Sequence, residues 1–203
     1  MSNADVAERR SKALRAATSE AHTRLDQRVM QAAPFASRAR FARFLQVQHA
    51  FHREIDTLCR APSLQALLPD LEGRRRFAQV EQDLADLGVS PPTPTGAPVF
   101  AGAPDVPTAL GWLYVAEGSN LGAAFLLKAG AKLGLSEEFG ARHLAAHAAG
   151  RKAAWDAFTA ALDRVALPPQ AEARVIAGGN AAFAHVHDLV EALMPLSEPD
   201  ALS

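Results

Sequence analysis

Proline and glycine cut this chain into long stretches in which apolar residues return every three or four positions, and that periodicity fixes its fold class. No stretch between turn signals alternates at period two, so no strand is expected. Residues 7–32 hold neither glycine nor proline. Leu14, Ala21, Leu25 and Val29 form a helical stripe there, which Pro34 ends. Ser37 caps a helix over 38–60 with Phe41, Phe44, Leu45, Phe51, Ile55 and Leu58 on its inner face. A third helix is expected over 72–87 with Gly88 as its stop, its Arg74-Arg75-Arg76 run reading as a solvated face. Residues 89–107 carry six prolines and two glycines and read as a loop packed over the core. Helices follow over 108–134, over 136–148 behind a Ser136 cap, and over 151–165 and 170–194. The sum is an all-α architecture of about seven to nine helices. It is expected to be one domain over 1–203, with a core at 8–194, fraying at 1–6 and a polar tail at 196–203.

Composition narrows the functions open to such a bundle. At 203 residues the chain can bury a full core, and 49 % apolar with 21 % charged residues is an ordinary globular balance. A formal net charge of −1 argues against general nucleic-acid binding. One cysteine, Cys59, excludes an intrachain disulfide framework and a cysteine-cluster metal site. No run approaches the length and apolarity of a membrane span or a signal peptide, so a cytoplasmic location without membrane contact is expected.

The segment Thr108–Gly134 organises the rest. Thr108 after Pro107 reads as its N-cap, Lys128 and Lys132 sit in its last turns, and Gly134 suits a left-handed stop. Yet Gly118 and Gly122 lie in its middle, where each costs about 1 kcal/mol relative to alanine. Four residues apart, they share one face and bare a groove of backbone. Either a neighbouring helix packs closely there, or a flat ligand lies against the peptide groups.

Seven histidines are the first candidates for chemistry. His143 and His147 lack an accompanying acidic motif and read as surface or capping residues rather than a metal pair. No Glu-x-x-His occurs, nor any phosphate loop, dinucleotide fingerprint or nucleophile elbow, and Ser119 has no base near it in sequence. His22 sits at the edge of the first apolar stripe. It is either a satisfied core histidine or an imidazole ligand facing the glycine groove, with Glu20 and Arg24 as possible polar neighbours.

Three segments resemble the heme oxygenases, the bacterial members most closely. Ser-Glu-Ala-His-Thr-Arg-Leu-Asp at 19–26 is similar to the proximal segment, with His22 at the iron-ligand position. Leu-Gly-Trp-Leu-Tyr-Val-Ala-Glu-Gly-Ser-Asn-Leu-Gly-Ala-Ala at 110–124 resembles the kinked distal helix, with Gly118 and Gly122 over the heme. Arg174 through Phe183 and on to Leu193 resembles the C-terminal helix, with Phe183 at its pocket-side aromatic position.

The resemblance implies an all-α fold that sandwiches heme b (iron protoporphyrin IX), which is both cofactor and substrate. It implies cleavage of the ring to biliverdin, CO and ferrous iron, with O2 and electrons from a donor such as a ferredoxin or flavodoxin reductase system. Two features depart from the family. Ser119 stands where many members carry an aspartate that organises water, so proton delivery is expected to involve Ser119 or Asn120. Trp155 and Thr159 stand where animal-type members hold the propionates with basic residues. Arg15 matches a propionate-contacting position, and Lys128 and Lys132 are the expected substitutes. A carrier or sensor that binds heme without degrading it is the alternative reading.

Overall fold

The computed structural model describes residues 9–94 and 96–196; the fraying expected at 1–6 and the tail beyond Leu196 lie outside them. Seven α-helices are present among the described residues: α1 (Arg10–Gln31), α2 (Arg38–Cys59), the short α3 (Pro62–Gln65), α4 (Phe77–Asp86), α5 (Val106–Gly130), α6 (Arg151–Arg164) and α7 (Pro169–Leu193). Among the described residues there is no strand, only isolated bridges around Ser136. No described helix is long and apolar enough to cross a membrane.

The expected faces of the long helices are the buried ones. Ser37 caps α2 by accepting from the Arg40 N–H at 3.2 Å. All six apolar residues expected on its inner face are buried. The proline-rich loop is fastened to α2 and α5 at three points. Gln46 donates to the Ser90 carbonyl, buried Glu54 accepts from the Val99 N–H at 3.0 Å, and Phe100 meets Trp112 edge-on at 5.1 Å.

The core is built on α7, which lies along α5 on one side and α1 on the other, while little of α1 touches α5. Glycines permit this. A Cβ on Gly178 would fall on the carbonyl oxygen of Thr108, with Thr108 Cα at 2.9 Å, and one on Gly111 would fall on the backbone of Val175 and Gly179. A Cβ on Gly179 would press on Leu14 and Thr18 of α1 at 3.1 and 3.2 Å. The close packing first considered for Gly118 and Gly122 is thus carried by Gly111, Gly178 and Gly179. Ion pairs from Arg10 to Glu172 and from Arg28 to Glu191 tie α1 to both ends of α7.

Four expectations are corrected. The cap of α5 is Asp105, which accepts from Thr108 N–H and hydroxyl at 3.1 and 2.7 Å; Pro107 falls in the first turn, where its missing N–H costs nothing. Gly134 stops the segment as expected at φ 71°, after a 3₁₀ turn over Ala131–Leu133. Residues 136–148 form no α-helix. Ser136 and Phe139 exchange backbone hydrogen bonds in a tight turn, and a 3₁₀ turn follows at Arg142–Leu144. Asp83 and Asp86 of α4 take the N–H groups of Arg142, His143 and Gly140 that a helix would have used. The third helix starts at Phe77 after a 3₁₀ turn at Glu72–Arg74, and its arginine run is not solvated: Arg74 and Arg76 are 5 % and 8 % exposed. His143, read as a surface residue, is buried against Asp83 at 2.7 Å. His147 is partly exposed and caps no helix; its Nδ1 accepts from the Ala149 N–H in the turn before α6.

Burial also sets an acid limit. His52 is 4 % exposed and its Nδ1 has no hydrogen-bond partner among the described residues. Burial first, then the charges of His143 and Arg76, push its pKa down to about 3. The folded imidazole therefore stays neutral while the unfolded one titrates at 6.5. Below that pH the unfolded state binds the extra proton, and stability falls by up to about 1.4 kcal/mol per pH unit for such a group. Burial shifts His49 and His185 the same way. Urea midpoints are expected to drop steadily from pH 7 to pH 4, and His52→Leu to flatten that drop; an identical slope in the variant would remove His52 from the effect.

Candidate active site

The second half of α5 changes character at Gly118. Every residue from Ala109 to Glu117 is buried; beyond it Leu121 and Phe125 are 42 % and 65 % exposed although the sequence stays apolar. A helix that is apolar all round belongs in a core, so an apolar face left open marks a surface that something else covers. A Cβ on Gly122 would meet nothing within 4 Å, and one on Gly118 would meet only the Trp155 ring at 3.8 Å. Gly122 is open, and Gly118 is met by one ring of α6 rather than by helix backbone.

His22 stands on the exposed side of α1. Its side chain is 61 % exposed, so it is not a core histidine. Two contacts orient the ring. Phe183 of α7 meets it edge-on at 5.7 Å, and Asp26, one turn along α1, has a carboxylate oxygen 3.4 Å from Nε2. No hydrogen bond between His22 and the expected neighbours Glu20 or Arg24 is present among the described residues; the polar contact is with Asp26. An i, i+4 spacing on a helix was the signal for it. Among the described residues no group of three or more His, Cys, Asp or Glu is placed to hold a metal ion. A single exposed imidazole suits a metal whose other ligands come with it, as in a macrocycle.

The other expected residues separate into two groups. Arg15 is exposed on α1, and its charge acts on the hydroxyl of buried Tyr114, whose pKa burial raises and Arg15 lowers. Tyr114 meets Trp155 at a tilt at 5.3 Å, and Trp155 lies against Gly118, so the three are neighbours in one surface. Tyr114 and Trp155 were not among the expected site residues; their positions depend on how α6 meets α5. Ser119 donates its hydroxyl to the Ala116 carbonyl at 2.7 Å, and the Asn120 carbonyl accepts from Arg151 at 3.0 Å. Lys128 and Lys132 are exposed at the far end of α5 and its 3₁₀ extension, with no ion pair or hydrogen bond among the described residues.

Behind Trp155 lies a small polar pocket with Arg74, Arg76, Glu117, His147 and Arg151 on its walls. Arg74 forms a buried ion pair with Glu117 and also donates to the Ala154 carbonyl at 3.2 Å. Burial pushes the Glu117 carboxyl up, against the opposing pull of Arg74, Arg76 and His147. A lone carboxylate inside an apolar helix needs a buried cation, and that was the signal that the arginine run turns inward.

The model of the heme oxygenase family matches residues 8–192. The heme oxygenase PigA of Pseudomonas aeruginosa is 44 % identical over 183 residues, which span 90 % of this chain and 91 % of that protein. The crystal structure of the NO- and CO-bound heme oxygenase of Neisseria meningitidis superposes with a TM-score of 0.87 at 39 % identity, over 97 % of this chain and 99 % of that one. With nearly the whole length matched by model, relative and fold, the chain belongs to the heme oxygenase family.

Proposed function

We propose that the chain cleaves heme b to biliverdin, CO and ferrous iron in the cytoplasm, taking O2 and electrons from a ferredoxin or flavodoxin reductase type of donor. The observation that carries this reading is the occurrence together of an exposed His22, held by Phe183 and Asp26, and an exposed apolar half of α5 on which Gly122 is open and Gly118 meets only the Trp155 ring. Bound heme supplies the iron and the ring that is opened; the protein supplies ligation, orientation and control of water.

In this reading His22 is the iron ligand. Asp26 fixes the ring's tautomer and raises its basicity, as carboxylates beside metal-bound histidines do. The peptide groups at Gly118 and Gly122 would bring backbone, and no side chain that acts as a strong base, against the bound group. Leu121 and Phe125 cover the apolar body of the ring. Arg15 and the Tyr114 hydroxyl hold one propionate, and Lys128 and Lys132 attract the carboxylates from the open end. The hydroxyl proton of Ser119 is committed to Ala116, so Ser119 accepts hydrogen bonds from water rather than donating one, and Asn120 offers its amide beside it.

Hemin added to the protein is expected to give a Soret band in one-to-one ratio. Ascorbate or a ferredoxin/reductase pair in air is then expected to yield a green bilin and CO. Stable heme binding with no bilin and no CO under either donor would favour the carrier or sensor; no Soret shift at all would remove heme from the account.

A further inference from the structure

We propose that the polar pocket behind Trp155 is a hydrated chamber that feeds protons to the groove, and that Glu117 is the group that holds and passes them. This rests on the heme-cleaving reading above and adds the residue that stands in for the acid missing at Ser119.

Three observations carry it. First, the chamber and the groove share a wall. The Trp155 ring lines the pocket and lies 3.8 Å from where a Gly118 side chain would begin. Glu117 is the residue next to Gly118 on α5 and points into the pocket.

Second, the pocket's cations are left with N–H groups unpaired. Arg74 Nε and Arg76 Nε are buried without a hydrogen-bond partner among the described residues, in side chains more than nine-tenths buried. Buried donors of this kind are satisfied by ordered water, which needs two to four polar partners and finds them here. The same pattern continues inward. His52 Nδ1 and His143 Nε2 are also buried and unpaired, and His52 feels the charges of both His143 and Arg76. Unpaired polar atoms are thus not confined to the pocket wall but recur on the residues whose charges act on one another behind it.

Third, the carboxyl is set to exchange a proton. Arg74 and Arg76 approach it from the segment before α4, His147 from the loop before α6, and Cys59 from α2. The arginines stabilise the carboxylate and burial stabilises the acid. Glu117 does not touch the substrate; it is a positioning residue acting through the water it holds. Its carboxyl releases a proton to a chamber water, Arg74 holds the resulting carboxylate, and bulk water entering beside the partly exposed His147 returns a proton.

The test compares wild type, Glu117→Gln and Arg76→Gln. In the heme-free proteins, infrared difference spectra across pH are expected to show a protonated-carboxyl band that Glu117→Gln lacks. In the heme complexes, Glu117→Gln is expected to keep heme affinity while bilin formation falls about tenfold or more, a modest share of what positioned proton transfer contributes. Wild-type turnover falls as pH rises through the Glu117 titration. Arg76→Gln removes a positive charge, raises that carboxyl's pKa and moves the falling limb to higher pH; Glu117→Gln abolishes the limb. An unchanged rate and pH profile in Glu117→Gln would overturn the proposal, as would equal losses of affinity and turnover. Should the wild type bind heme and form no bilin, the proposed function fails, and the heme-free infrared titration still decides whether Glu117 exchanges a proton.

Discussion

Gly178→Ala is expected to destabilise the protein by about 3 kcal/mol or more, at the upper end of what overpacking a core costs. The reason is that the new Cβ would land on backbone, not on a side chain that can turn away. The Thr108 carbonyl oxygen lies in its place, with Thr108 Cα at 2.9 Å. Relief requires α5 and α7 to part along the crossing on which the core is built. For a chain of this size that corresponds to a drop in Tm of roughly 6–12 °C. Gly122→Ala should do the opposite to the heme-free protein. Its Cβ meets nothing within 4 Å, and alanine gains up to about 1 kcal/mol of helix propensity, so the melting temperature is expected to hold or rise by a few degrees. The pair of melts sorts the glycines of one helix into packing and groove. Equal losses at both positions would mean that Gly122 also sits against a neighbour.

That contrast marks how much of the molecule was legible beforehand. The long helices were, because their apolar spacing is a local property: the α2 face is buried residue for residue. The glycines were only half legible. Gly111, Gly118 and Gly122 lie on one helix and look alike in sequence, and what separates them is where Gly178 and Gly179 of α7 arrive from 60 or so residues away. The same limit explains the lost helix at 136–148. Ser136 with two glutamates after it is a sound capping signal, but Asp83 and Asp86 reach across from α4 and take the N–H groups first. Arg74 and Arg76 read as solvated because three adjacent cations normally are; their partner, Glu117, is 43 residues from Arg74. For the proposed site, His22 and the two mid-helix glycines were singled out by residue type and spacing, and Arg15 by resemblance. Asp26 and Tyr114 were not, and Trp155 was noted only as a departure at a propionate position, because their contacts come from a helical turn's geometry and from the packing of α6 on α5.

His22→Ala is expected to separate binding from folding. The His22 side chain is 61 % exposed, and its contacts are one edge-on aromatic pair and one exposed ion pair with Asp26, an interaction worth at most about 1 kcal/mol. The heme-free variant should therefore melt within about 4 °C of wild type, since each kcal/mol moves Tm by roughly 2–4 °C at this size. Heme binding has far more to lose. Among the described residues no set of three or more His, Cys, Asp or Glu side chains is placed to take over a metal, and His52 and His143 are buried at 4 % and 3 % exposure, beyond reach of a ligand in the groove. Hemin titration is expected to show affinity reduced at least about tenfold, which needs only 1.4 kcal/mol from the lost bond. The Soret band should move, and bilin formation should stop. Added imidazole should restore the spectrum, because it replaces the ligand without replacing the side chain, while leaving Phe183 and Asp26 with nothing tethered to orient. His187→Ala is the control: that ring lies on α7, one-third exposed and 3.9 Å from Glu191. If His22→Ala kept the wild-type Soret band and affinity while His187→Ala lost them, the iron would belong to α7, and the arrangement of α1 opposite the bare backbone of α5 would have to be explained without it.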